Sequence, residues 1–322
     1  MDQDERHIVA VAMPAGDDPG TWIEALRPRL PNFDVLSLDA ATDTARVAYV
    51  VAWKHPRGAL ARFPNLKAVF SLGAGVDHLL SDPDLPVALP IVRVVDPDLT
   101  SRMSEWVMLH VLMHHRQQRL YEWQQFEKIW ADDATQPAAR DVRVGIMGLG
   151  VMGQDSANKL AMMGFDVAGW SRTPKTLPGI ETFSGDAGLG PFLARTQILV
   201  SLLPLTSATR GILDLGLFRQ LARDSHVGGP VLINAGRGGL QNEVDILTAL
   251  DEGLLRAATL DVFETEPLPQ TSEFWHHPAV MVTPHNAAIS SPQTIAAFIA
   301  DQIEAAEDGE PLEHVVDRHA EY

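Results

Sequence analysis

An arginine, a glutamate and a histidine stand in three short segments that each follow a β-branched run. The segments are Ile233-Asn234-Ala235-Gly236-Arg237-Gly238, Leu260-Asp261-Val262-Phe263-Glu264-Thr265-Glu266-Pro267-Leu268 and Val282-Thr283-Pro284-His285-Asn286. Those residue types suit reduction of a 2-keto acid. Arg237 can clamp the carboxylate and polarise the carbonyl, a protonated His285 can give a proton to the oxygen as hydride reaches the carbon, and Glu266 can hold that His charged. Each also has a plainer use: Arg237 in a solvated loop, Glu266 as the end of a strand before Pro267, His285 as a loop cap. Other chemistries lack their residues. No G-x-S-x-G elbow is present for a serine hydrolase. His110 and His114 have the spacing of H-E-x-x-H, but Val111 stands where the glutamate is needed, so both are read as packing residues and no metal site is expected. His114-His115 and His276-His277 are read as surface or loop pairs.

A hydride needs a carrier, and Val142–Met147 runs into Gly148-Leu149-Gly150-Val151-Met152-Gly153, a G-x-G-x-x-G turn with helical spacing after it (Ala157, Leu160, Ala161). Glycines there let the backbone turn sharply and approach a pyrophosphate, whose charge falls on the free N–H groups of the helix N-terminus. The end of the next strand selects the cofactor. An NAD site places an acidic residue there to accept from the ribose 2′-OH, whereas this chain has Ser171-Arg172-Thr173. Arg172 can pair with a 2′-phosphate through its planar fork, and Ser171 and Thr173 add hydroxyl donors. NADP(H) is therefore expected in preference to NAD(H), which stays possible.

Strands must hold these turns in place. Short apolar runs at Ile8–Met13, Val35–Leu38, Val47–Trp53, Leu66–Leu72 and Ile91–Val95 alternate with helical stretches such as Thr21–Leu30. A second series begins at Val142–Met147 and continues through Asp166–Trp170, Ile198–Leu202, Val231–Asn234, Ala258–Val262 and Val280–Thr283. Strands spaced by helices imply parallel sheets with crossovers, so two α/β units are expected. The stretch from Thr100 to about Trp130 reads as one long bridging helix plus an aromatic arm, with Met103, Val107, Val111 and Leu112 at helical spacing. Ser291-Pro292 supplies an N-cap and first-turn proline for a helix that ends near Gly309.

With 322 residues and 46% apolar content, the chain is long enough for two domains with buried cores. Its formal charge of −17 disfavours nucleic acid or an anionic membrane surface as partner. The absence of cysteine excludes disulfides and a catalytic thiolate. Met1–Arg6 lacks the basic and apolar regions of a signal peptide, and no apolar run approaches the roughly 20 residues of a membrane span. A cytoplasmic protein is expected.

Taken together and in order, the segments resemble the D-isomer-specific 2-hydroxyacid dehydrogenases, with N-x-x-R-G at Asn234–Gly238, D-V-F-x-x-E-P at Asp261–Pro267 and T-P-H at Thr283–His285, all downstream of the glycine turn at Gly148–Gly153. Within the family, Trp170-Ser171-Arg172, Glu266-Pro267-Leu268-Pro269-Gln270 and Val316-Asp317-Arg318 are most similar to the glyoxylate/hydroxypyruvate reductase A group, although His319-Ala320-Glu321-Tyr322 follows that group's ending only loosely. The resemblance implies that Arg237 binds and polarises the substrate, Glu266 pairs with His285, and His285 donates the proton. It implies that Asp261 contacts the nicotinamide carboxamide and that Leu203, Pro204, Ala235 and Gly236 line the cofactor. It also implies that the backbone of Ala74 and Gly75, in Ser71-Leu72-Gly73-Ala74-Gly75-Val76-Asp77-His78, holds the substrate carboxylate, with Trp53 near the substrate. A glycine-rich turn after a strand makes physical sense as an anion nest; a tight turn with no ligand is the plainer account.

The expected fold is α/β, with two doubly wound parallel-sheet domains: a flavodoxin-like substrate domain of residues 1–98 and 291–322, and a Rossmann cofactor domain of residues 99–290. The expected reaction is NADPH-dependent reduction of small 2-keto acids, glyoxylate to glycolate or hydroxypyruvate to D-glycerate. Resemblance to the family favours a homodimer, for which Trp123, Phe126 and Trp130 of the aromatic arm are candidate contacts. Two rivals share some of these features. The β-hydroxyacid dehydrogenases have a similar glycine turn and Ser-Arg-Thr step, but place them at the start of the sequence, before an all-helical second domain. Non-catalytic dinucleotide-sensing corepressors keep the Arg, Glu and His, and differ in lacking turnover as their purpose.

Overall fold

Runs of valine, isoleucine and alanine form strands here because both faces of each sheet are covered. The computed structural model describes residues 6–134, 136–225 and 228–322; Met1–Glu5, on which the expected lack of a signal peptide largely rests, lie outside the described residues. The chain divides into two compact units, Met1–Leu99 with Ser290–Tyr322, and Thr100–Ile289.

The first unit contains β1 (Ile8–Ala12), α1 (Gly20–Leu26), β2 (Asp34–Ser37), β3 (Val47–Ala52), β4 (Ala68–Ser71), α2 (Asp77–Leu80) and β5 (Ile91–Val92). Its five strands are parallel, in the order β2-β1-β3-β4-β5, which is the flavodoxin-like order, with its reversal between β1 and β3. Ile8, Ala10 and Ala12 of β1, Val47, Val50 and Ala52 of β3 and Val69 of β4 join one core cluster. Helix α1 ends at Leu26, and Arg27–Arg29 tightens into a 3-10 turn around Pro28, so the expected helix to Leu30 is shorter than its apolar spacing suggests.

Helix α3 (Pro97–His115) leads into α4 (Gln118–Glu127). The expected long helix ends at His115, and the aromatic arm is itself helical over α4: Gln117 takes a left-handed φ of 51°, which separates the two. The second unit continues with β6 (Arg143–Met147), α5 (Val151–Met162), β7 (Asp166–Ser171), β8 (Glu181–Ser184), α6 (Gly185–Arg195), β9 (Ile198–Ser201), α7 (Leu215–Phe218), β10 (Val231–Asn234), α8 (Glu243–Asp251), β11 (Ala257–Leu260) and β12 (Val280–Val282). All seven strands are parallel, ordered β12-β11-β10-β9-β6-β7-β8. Counted from β6 this is the Rossmann order with one further strand, and the sequence reversal lies between β6 and β9. Helix α9 (Pro292–Glu307) returns to the first unit and packs on α1. Ser291 holds its N-cap position without a capping bond, its hydroxyl pointing to Gln293 Oε1.

Alternation along the second sheet is visible residue by residue. Val144, Ile146, Ile198, Val200, Val231 and Ile233 join a core with Val107 and Val111 of α3 and Ala157 and Leu160 of α5. Met147, Leu199 and Leu232 point to the opposite core, with Phe192 of α6, Phe218 of α7 and Ile246 of α8. Successive side chains alternate between the two faces, so a strand covered on both faces reads as a continuous apolar run.

Candidate active site

In a doubly wound sheet, ligands bind beyond the carboxyl ends of the strands near the order reversal. The expected residues of the second unit follow such ends: Gly148–Gly153 after β6, Arg172 after β7, Leu203 and Pro204 after β9, Ala235–Arg237 after β10, Asp261 and Glu266 after β11, and His285 after β12.

The three glycines of the first turn have different reasons to be glycine. Gly148 has φ +109°, and a Cβ there would sit 2.8 Å from the Leu202 carbonyl oxygen. A Cβ on Gly153 would lie 1.9 Å from the Gly148 carbonyl oxygen, closing the helix onto the turn. Gly150 is exposed, has an ordinary φ of −72°, and a Cβ there would meet nothing within 4 Å. Neither conformation nor packing accounts for it, and open space over the first turn of α5 is what close approach of a pyrophosphate needs. The residues therefore fit a dinucleotide. Val151 is exposed, Leu149 is buried, and Met152 packs partly against the core. Beyond β7, Arg172 and Thr173 are exposed, while the Ser171 hydroxyl is buried and donates to the Thr173 carbonyl at 2.8 Å. In this arrangement the Ser171 hydroxyl shapes the turn that carries Arg172 and Thr173.

His285 Nδ1 lies 2.8 Å from Glu266 Oε2, and Glu266 Oε1 accepts from the Phe263 N–H at 3.2 Å. An imidazole whose Nδ1–H is donated to a carboxylate is held in one orientation and presents Nε2 for proton transfer. Both side chains are partly exposed, at 33% and 21%, so the pair is reachable. His285 itself has a left-handed φ of 51°. Asp261 over-determines that conformation: it is buried, its carbonyl accepts the His285 N–H at 2.8 Å, and its carboxylate accepts from Thr283 Oγ1 at 2.6 Å, the Asn286 N–H at 2.9 Å and the Ala287 N–H at 3.0 Å. The visible work of Asp261 is to pin the histidine loop.

Arg237 is half-buried, and its Nη1 donates to the Gly236 carbonyl at 2.8 Å. The next residue fixes where it stands. A Cβ on Gly238 would lie 1.9 Å from the Phe263 carbonyl oxygen, so only glycine lets the arginine turn approach the glutamate turn this closely. Two buried amides tie the same turns together. Asn234 Oδ1 accepts from the Gly236 N–H at 3.1 Å, and its Nδ2 donates to Gln241 Oε1 at 2.9 Å. Gln241 Nε2 in turn donates to the Val262 carbonyl at 3.0 Å. Sequence reasoning missed Gln241, because an amide bridging two turns has no local pattern; Gly238 within N-x-x-R-G was the available signal. Ala235 and Leu203 are buried beside these turns, and a Cβ on Gly236 would lie 2.7 Å from the Leu203 carbonyl oxygen. Pro204 is half-buried, and its carbonyl accepts from Thr209 Oγ1 at 2.7 Å.

The first unit presents its own candidate turn after β4. Ser71 Oγ donates to the Gly75 carbonyl at 2.9 Å and accepts from the Gly73 N–H at 3.2 Å, so one buried hydroxyl shapes the loop holding half-buried Ala74 and Gly75. Trp53, at the end of β3, lays its ring against Gly73, where a Cβ would sit 2.7 Å from the indole.

The histidines of α3 are held by packing and hydrogen bonds. His114 Nε2 lies 2.8 Å from Thr259 Oγ1, and His110 Nδ1 lies 2.8 Å from the Trp106 carbonyl oxygen. Loss of hydration pushes His114 down to about 4, with the nearby charges of His110 and Arg119 acting in the same direction. His115 is buried with its ring edge-on to Phe165 at 5.2 Å, which corrects the expected surface placement of His114-His115. Of His276-His277, the first is exposed and the second half-buried in a loop. Among the described residues, no cluster of three or more His, Asp or Glu could hold a metal ion, and no helix is long and apolar enough to cross a membrane.

Residues 108–287 match the family model described as D-isomer specific 2-hydroxyacid dehydrogenase, NAD binding domain. The glyoxylate/hydroxypyruvate reductase A of Yersinia enterocolitica is 40% identical over 298 residues, covering 90% of this chain and 93% of the relative. Among solved structures, an NADPH-dependent glyoxylate/hydroxypyruvate reductase from Sinorhizobium meliloti, in complex with NADP and sulfate, aligns at a TM-score of 0.93 with 49% identity, covering 98% of this chain and 100% of that one. A probable 2-hydroxyacid dehydrogenase from Rhizobium etli, in complex with NADP, HEPES and L(+)-tartaric acid, aligns at 0.92 with 45% identity and the same coverage. The five-stranded sheet of the first unit also differs from the all-helical domain of the β-hydroxyacid dehydrogenases. With these likenesses spanning nearly its whole length, the chain belongs to the D-isomer specific 2-hydroxyacid dehydrogenase family.

Proposed function

We propose that this protein reduces glyoxylate and hydroxypyruvate with NADPH, giving glycolate and D-glycerate. The His285–Glu266 pair carries the reading, with Arg237 brought to the same turns through Gly238. Bound reduced nicotinamide supplies a hydride to the keto carbon. Arg237 binds the substrate carboxylate and polarises the carbonyl. His285 donates its Nε2 proton to the carbonyl oxygen, so the C=O becomes CH–OH, and Glu266 stabilises the imidazolium before transfer. In this reading the unit of Thr100–Ile289 holds the dinucleotide: backbone amides at Gly150–Gly153 take the pyrophosphate and Arg172 takes the 2′-phosphate. The other unit holds the acid, with the Ala74 and Gly75 backbone on its carboxylate and Trp53 beside it. The names and bound NADP of the similar proteins support the choice of cofactor and substrates. The same reading takes the protein as a cytoplasmic homodimer, for which the exposed Phe126 and Trp130 support a contact through the arm.

The test follows NADPH oxidation with a panel of 2-keto acids, then repeats it with NADH. Efficient turnover of glyoxylate or hydroxypyruvate excludes a purely dinucleotide-sensing role. Failure to consume NADPH with any small 2-keto acid would sink the proposal.

A further inference from the structure

Two residues beyond Trp53, His55 forms a buried pair with Asp82 that the proposed reaction does not use. His55 Nε2 lies 3.0 Å from Asp82 Oδ2, with side chains only 1% and 3% exposed. Asp82 also accepts from the Gly58 N–H at 2.9 Å and the Asp84 N–H at 3.1 Å. Burial alone would push the Asp82 carboxyl up, but the Gly58 N–H, the His55 ring and the Asp84 N–H together hold it below its ordinary value. The pair anchors a short segment whose middle residue is strained: Lys54, exposed, has a left-handed φ of 44°. A lysine in that region is uncommon and persists only where its surroundings over-determine it.

Those surroundings lead to the Gly73–Gly75 loop. The Lys54 N–H donates to His78 Nδ1 at 3.3 Å, and His78 Nε2 lies 3.3 Å from Ser71 Oγ, the hydroxyl that shapes the loop. The Trp53 ring meets His78 edge-on at 4.9 Å, and the Lys54 ammonium lies 5.9 Å from the Trp53 ring centre.

We propose that His55 and Asp82 are positioning residues for keto-acid binding, holding Trp53 and Lys54 against the Gly73–Gly75 loop. The inference rests on the reading that this loop takes the substrate carboxylate. Its consequence is a split in kinetic effects, with keto-acid binding sensitive to the pair while hydride transfer and NADPH binding are not.

Steady-state kinetics on the full-length protein test it through five variants. His55→Leu should raise KM for glyoxylate and hydroxypyruvate about tenfold, leaving kcat within about threefold and KM for NADPH unchanged. His55→Gln, which keeps one N–H donor for Asp82, should bring keto-acid KM back to within about threefold of wild type. At position 54, Lys54→Val should raise keto-acid KM more than Lys54→Asn does, because asparagine tolerates the left-handed region and a β-branched residue does not. Unchanged keto-acid KM in folded His55→Leu overturns the inference, as does a parallel loss of kcat and NADPH binding. Should His55→Leu fail to fold, the exposed Lys54 pair decides, and equal KM in Val and Asn overturns it. Ala74→Asp separates the two readings. If it leaves keto-acid KM unchanged, the reading of the loop falls and this inference with it; if it raises KM while the His55 and Lys54 variants do not, this inference alone falls.

Discussion

His285 combines a reachable ring with a backbone conformation that few histidines adopt, and Asp261 is what makes the combination stable. From this left-handed position the ring meets Glu266. His285→Asn should keep the backbone geometry, since asparagine accepts positive φ, while removing the proton donor. We expect kcat to fall by roughly 10²–10⁴ with little change in KM for NADPH, read from initial rates. Arg237→Ala should lower kcat/KM for the keto acid and also weaken binding of a non-reducible carboxylate inhibitor. The proposed role of Arg172 is on the cofactor alone, where a charge-assisted bond to a phosphate is worth about 1.5–3 kcal/mol. Arg172→Ala should therefore cut kcat/KM for NADPH by about ten- to a hundredfold and leave the NADH value nearly unchanged. A wild-type preference for NADH would refute the assignment.

The turns meet because of what their glycines leave out. Gly238→Ala forces a Cβ onto the Phe263 carbonyl, so the arginine and glutamate turns must separate. Overpacking of this kind costs about 1–3 kcal/mol, and denaturant titration alongside kcat/KM should show both stability and activity lost together. The turns that carry Arg237, Glu266 and His285 are legible in the sequence because strands buried on both faces are continuous apolar runs, and these residues come directly after them. Strand β8 is not legible: Glu181–Ser184 is an edge strand with no buried residue, so its sequence carries no apolar run. The break at Gln117 is also hidden, since glutamine is an ordinary helix residue and only tertiary placement makes it left-handed. Gln241 and the His55–Asp82 pair join residues distant in sequence, and periodicity speaks only of neighbours.

On the scale of the whole molecule, acid should loosen the second unit through His114. Its folded value of about 4 lies below the ordinary 6.5, so the unfolded chain binds more protons between these values and stability falls as pH drops from 6.5 toward 4. The contribution is at most about 3 kcal/mol, and His114→Gln should flatten the decline of Tm across that window. The formal charge of −17 sets a second condition, because both proposed ligands are anions. Binding must then depend on local donors such as Arg172, Arg237 and the amides of two glycine turns, while the field of the whole protein opposes approach. Gly150 makes one of those donors separable from the fold. A methyl group added there has no protein atom to displace, so Gly150→Ala should melt like the wild type, its defect appearing as a higher NADPH requirement that saturating cofactor overcomes. The equivalent change at Gly153, lodged against Gly148, would be a defect of the scaffold that no concentration of ligand repairs in full. Two glycines three residues apart thus divide the turn between a part owed to the protein and a part owed to its ligand.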